Sequence, residues 1–114
     1  MAIRVFCDEP TALLTEIKRA IANDVVVTWA VDGDGDFTHT PEQWRYLAWF
    51  RPRILEDRII FNIIGSRKKR LSRATYGVYH GRFIEMLLTH FDKKFERVSA
   101  TALAEKSDII PKTD

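Results

Sequence analysis

Two apolar runs, Trp44-Arg45-Tyr46-Leu47-Ala48-Trp49-Phe50 and Ile59-Ile60-Phe61-Asn62-Ile63-Ile64, flank a polar middle that contains Pro52 and Glu56-Asp57. Each run has the length and the β-branched or aromatic content of a strand, so the pair predicts a β-hairpin. Pro52 cannot donate to a ladder, which puts it at an edge, a bulge or the start of the turn. The turn falls either at Pro52-Arg53 or at Glu56-Asp57.

The basic run Ser66-Arg67-Lys68-Lys69-Arg70-Leu71-Ser72-Arg73 follows directly. From Arg45 to Arg73 nine basic residues face two acidic ones, a surplus of +7. The whole chain has a formal charge of +2, so the rest carries −5. That asymmetry speaks to partners rather than to fold.

Outward from the hairpin, both flanks supply a helix and a strand. Ile3 to Cys7 reads as a first strand, stopped at Asp8-Glu9-Pro10, where Asp8 is a candidate cap and Pro10 suits a first helical turn. Leu13, Leu14, Ile17, Ala20 and Ile21 then share about 120° of a helical wheel, which predicts a one-faced helix from Pro10 to Asn23. Val25 to Val31 is apolar on both alternating faces, the pattern of a central strand. A second helix is predicted from Ser72 to Phe91, its apolar residues spanning about 200° of the wheel. Arg97 to Leu103 alternates as a last strand.

The expected architecture is α+β: a mostly antiparallel sheet of about five strands, with or without one further short strand, and two helices packed on one face. The order is β-α-β-β-β-α-β, a ferredoxin-like arrangement. With 114 residues the chain suits one domain over residues 1–104, followed by a loose tail over 105–114.

An arc of 200° is too wide for one flat sheet, so part of it is expected to be covered by a curved sheet or by a second copy of the chain, with a homodimer the expected state. Gly77 and Gly81, four apart on one flank of that helix, suggest close approach of another backbone or a ligand. The longest uncharged apolar stretch is about seven residues, against the ~20 that span a bilayer. No membrane partner is expected. The first residues lack the apolar centre of a signal peptide and Cys7 has no partner for a disulfide, so the cytoplasm is the expected compartment.

No catalytic or nucleotide-binding fingerprint is present, and no cofactor or metal is expected. Asp32-Gly33-Asp34-Gly35-Asp36 alternates like a calcium loop, but neither register places both the central glycine and the terminal glutamate, so it reads as a solvated turn. The expected function is a non-enzymatic binding module with a site for a small or anionic ligand at Trp49, Arg51, Tyr76 and His80. A second reading is nucleic-acid binding through Arg67, Lys68, Lys69, Arg70 and Arg73, where cations sit just ahead of a helix. A third is a small hydrolase or isomerase using His80. His80 and His90, both placed in the apolar arc, lie about 15 Å apart along the axis and cannot share a metal.

Overall fold

The computed structural model describes residues 1–111, so the last three residues of the expected tail lie outside it. The elements in chain order are β1 (Ala2–Phe6), α1 (Pro10–Ala22), β2 (Trp29–Val31), β3 (Phe37–His39), β4 (Ala48–Ile54), β5 (Arg58–Gly65), α2 (Arg73–Phe91) and β6 (Arg97–Ala100). They form a six-stranded sheet in the order β2-β3-β4-β5-β1-β6, antiparallel throughout. The fold is α+β, consistent with a small ferredoxin-like arrangement in which the short hairpin β2-β3 extends the β4 edge.

The β4-β5 hairpin is the centre of the sheet, and its turn lies at Glu56-Asp57, where the Leu55 amide donates to the Arg58 carbonyl. β4 begins at Ala48, later than the aromatic run implied. Trp44 to Leu47 are instead a turn, closed by the Trp44 and Arg45 amides donating to the Pro41 carbonyl. Pro52 stands inside β4 opposite Phe61, in the stretch that extends past β3, where that edge of the strand is unpaired.

Val25 to Thr28 is not part of a central strand. The Val25 and Val26 amides both donate to the Ala20 carbonyl, closing the end of α1, and Asp24 turns the chain with φ of 58°. Backbone donors spent on a helix end cannot join a ladder. Val26 is therefore buried alone, Val25 and Val27 are 61% and 66% exposed, and β2 is an edge strand of three residues. The acidic turn after it is a tight β2-β3 connection. Asp32 Oδ1 accepts from the amides of Asp34 and Asp36, and Gly35 supplies the positive φ of 83°.

At the helix starts, α1 has Glu9 rather than Asp8 at its N-cap, without a side-chain bond. Ser72 caps α2, its hydroxyl accepting from the Thr75 amide at 3.0 Å, a bond of the kind that contributes about 1 kcal/mol. α2 runs to Phe91 as its periodicity requires, and its wide arc is met inside one chain. Tyr79, Phe83, Met86, Leu87 and Phe91 share a single core with Leu13 and Ile17 of α1 and with the apolar face of the sheet. Leu88 stays half exposed and His90 is exposed, outside the arc's buried part. Open space lies beside Gly77 and Gly81, with no other backbone close. The wheel argument for a second copy thus loses its basis.

The middle of the core is aromatic. Phe83 places its ring centroid 4.9 Å from Trp29, 5.7 Å from Phe37, 5.0 Å from Phe50 and 4.7 Å from Phe61. These distances fall within the range of favourable ring pairs. Beside it the Tyr79 hydroxyl donates to the Trp44 carbonyl at 2.5 Å and lies 3.2 Å from Thr38 Oγ1, which fixes the 41–47 turn to α2.

Candidate functional site

Both helices cover one face of the sheet, and the register identifies what the other face carries. Arg53, Ile60, Arg4 and Ser99 stand opposite one another across four strands, as do Arg51, Asn62 and Ala2, and Arg58, Phe6 and Arg97. Trp49 stands opposite Ile64. Residues paired in an antiparallel ladder project to the same side, so this second face is rich in arginine.

Part of it is roofed by the chain after β6. Glu105 pairs with Arg4 at 2.8 Å, and Asp108 accepts from the Asn62 side chain at 2.8 Å. The Ile109 amide donates to the Ile63 carbonyl, and the Gly65 amide to the Ile109 carbonyl. Where β1 stops, Ile109 takes its place beside Ile64. The segment expected as a loose tail is therefore tied down from Glu105 to Ile109, through contacts that no local sequence pattern announces.

Between this roof and β4 lie two adjoining depressions. One holds about 210 Å³ and is lined by Arg51, Arg53, Asn62, Ile64 and Ile109. The other holds about 590 Å³ and is lined by Arg51, Ile64, Arg67, Ile109 and Ile110. Because they share Arg51, Ile64 and Ile109, they read as one trough with an apolar floor and Arg53, Arg51 and Arg67 along it. Arg51 is fixed by a two-pronged bond to the buried Asp36 carboxylate, 3.0 Å from Nε and 2.8 Å from Nη2. Such fork geometry orients the guanidinium. Arg53, Arg67, Lys68, Lys69, Arg70 and Arg73 are exposed, and none enters an ion pair among the described residues.

No protein-family model, no curated protein and no solved structure matches this chain. The candidate site therefore rests on its own geometry.

The four residues expected to share a ligand site separate into two pairs. Trp49 and Arg51 lie on the open face, two apart on β4. Tyr76 and His80 lie on α2, which packs on the opposite face. His80 is buried, its Nδ1–H donates to the Tyr76 carbonyl at 2.7 Å, and its ring packs edge-on against Phe50 and Tyr76. It is an imidazole packed into the core. Of the basic residues from Arg67 to Arg73, Arg67 to Arg70 lie exposed between β5 and α2, Arg73 is the first residue of α2, and Arg67 also lines the larger depression.

Arg53 was not among the expected site residues. The alternation Arg51-Pro52-Arg53 carries that signal once β4 is extended through the proline. Asp36, Ile64 and Ile109 carry none.

Cys7 and the acidic turn are each constrained by their surroundings. Burial, followed by the charge of Asp8, pushes the Cys7 thiol up, away from the thiolate a nucleophile needs. The carboxylates of Asp32, Asp34 and Asp36 lie within 4.8 Å of one another. Both Asp36 oxygens are already engaged by Arg51, and Asp32 Oδ1 by two amides. No helix among the described residues is long and apolar enough to cross a membrane.

The buried histidines set a pH dependence. Burial pushes both His39 and His80 down, against the Thr28 and Tyr76 carbonyls that pull them up. His80 Nε2 is enclosed without a hydrogen-bond partner, so a proton there would be stranded. A folded-state value below the unfolded one means that stability is complete above about pH 6.5 and is lost as pH falls below it, by up to about 1.4 kcal/mol per pH unit for each histidine. Melting curves across that window should show the fall, and a His80→Gln variant a shallower one. Equal melting temperatures at both ends would contradict the assignment.

Proposed function

We propose that this protein is a non-enzymatic binding module that takes an anionic ligand in the arginine-lined trough on the open face of its sheet. The observation that carries the reading is the alignment of Arg53, Arg51 and Arg67 over an apolar floor, with Arg51 already oriented by Asp36. An oriented guanidinium gives up little rotational freedom when it binds, and the flanking free arginines suit carboxylate or phosphate oxygens. The apolar floor of Ile64 and Ile109 accommodates the uncharged part of the same ligand.

Sodium tripolyphosphate is a suitable probe, followed by amide chemical shifts. Saturable shifts centred on Arg51, Arg53, Ile64 and Arg67 are expected. Replacing Arg53 and Arg67 by glutamate should weaken binding by roughly tenfold or more for each residue, since hydrogen bonds to charged groups contribute about 1.5–3 kcal/mol. Both side chains are exposed, so the fold should be unaffected. Shifts spread evenly over all basic residues, or none at millimolar probe, would overturn the reading.

A further inference from the structure

We infer that the ligand of this trough is single-stranded nucleic acid, which follows a path from Arg53 through the trough and across the loop from Arg67 to Arg70; the inference rests on the anion-binding reading above. The first observation is the run of cations. Arg51 and Arg53 are two residues apart on one strand, about 7 Å. The trough then continues to Arg67, and Lys68, Lys69 and Arg70 extend the line into solvent. A small anion satisfies itself at one or two of these groups. A repeating polyanion uses them all.

The second observation is Tyr46, which points to bases rather than to phosphate alone. Its backbone is held in the left-handed region, φ 62°, with its amide donating to Thr38 Oγ1 at 3.3 Å, while the residue as a whole remains 63% exposed. A non-glycine residue in that region is strained and persists where the surroundings impose it. The Arg45 guanidinium lies 5.8 Å from the ring centroid. Tyr46 comes two residues before Ala48, which pairs with Gly65, so it lies at the end of the sheet from which the basic loop departs. Trp49, half-buried, stands on the trough's own face opposite Ile64. Aromatic platforms beside a cationic groove are the combination by which proteins hold unpaired strands, since every base has a face to stack. In a duplex those faces are already stacked on their neighbours, and this face has no projecting helix to enter a major groove.

Fluorescence anisotropy with labelled oligonucleotides of about twelve residues tests this, a length suited to one binding face. The arms are single-stranded DNA, single-stranded RNA, a duplex, and tripolyphosphate as competitor, at about 50 and 200 mM salt. Expected are binding of at least one single strand, loss of affinity with salt, and a weaker duplex. Tyr46→Asn suits the left-handed backbone while removing the ring, and should weaken the oligonucleotide by roughly tenfold or more yet leave tripolyphosphate unchanged. Arg67→Glu with Arg70→Glu should weaken both.

If tripolyphosphate fills the trough and no oligonucleotide binds at low salt, this inference fails and the anion reading stands. If neither binds, both fail. Equal binding of duplex and single strand with no effect of Tyr46→Asn also overturns it.

Discussion

Replacing Phe83 by alanine is expected to destabilise the folded protein by about 3–5 kcal/mol, the range for removing a large aromatic side chain from a packed core. The site justifies a figure in the upper part of that range. Phe83 is fully buried in the middle of α2, and its ring meets four others, Trp29, Phe37, Phe50 and Phe61, drawn from four strands. Relaxation around the gap is limited, because Trp29, Phe37, Phe50 and Phe61 are themselves fully buried and ring-packed against neighbours. Since a domain of this size is stable by only about 5–15 kcal/mol, one such substitution removes a large share of the margin. Urea unfolding followed by circular dichroism reads it as a lower midpoint at unchanged slope. Leu88→Ala on the same helix is the internal control: half exposed, it should shift stability by no more than about 0.5 kcal/mol. A loss below about 1 kcal/mol at Phe83 would mean that the aromatic cluster does not hold α2 to the sheet.

That cluster also explains which parts of the structure were legible in the sequence. α2 was readable from Ser72 to Phe91 because its cap and its 3.6-residue period are both local. β5 was readable for a different reason: an isoleucine-rich run bounded by Gly65 has few alternatives. Hydrophobicity misled at Val25 and Val26, where the start of a strand-like run is consumed by the helix end before it. It misled again in the arc of α2. A wheel counts apolar width, while the number of elements that close over it is a tertiary fact, and here α1 and the sheet close over it together. At the site, Arg51 and the loop cations were legible as charge, but their alignment with Arg53 depends on where β4 starts. The role of His80 was left open for the converse reason, since core and pocket histidines share the same spacing on a helix. The roof from Glu105 to Ile109 was illegible because each of its bonds to the sheet joins residues 44 or more positions apart.

Asp108→Ala is expected to release that roof. The carboxylate is buried and has four donors: Oδ1 accepts from Asn62 Nδ2 at 2.8 Å and from the Ile63 amide at 3.2 Å, while Oδ2 accepts from the Glu105 amide at 2.7 Å and lies 3.3 Å from the Met1 ammonium. Removing it takes the acceptor from the Asn62, Ile63 and Glu105 donors, at about 1–3 kcal/mol for each one left buried without a partner, while the Met1 ammonium keeps Thr101 Oγ1 and the Leu103 carbonyl. The segment can avoid that penalty by lifting off, so the effect on global unfolding is capped at whatever the docked roof contributes. Local opening should change far more than the melting temperature. The Gly65 amide, which donates to Ile109, and the Ile109 amide, which donates to Ile63, should exchange with solvent at least ~100-fold faster, as a loss of about 3 kcal/mol implies. The Phe61 amide, within the β5 ladder, should stay protected. Because Ile109 is a wall of the trough, anion affinity should fall in the same variant although every arginine is retained. Unchanged exchange at Gly65 would show that Ile109 and Ile110 hold the segment through packing alone, and that the carboxylate is not its anchor.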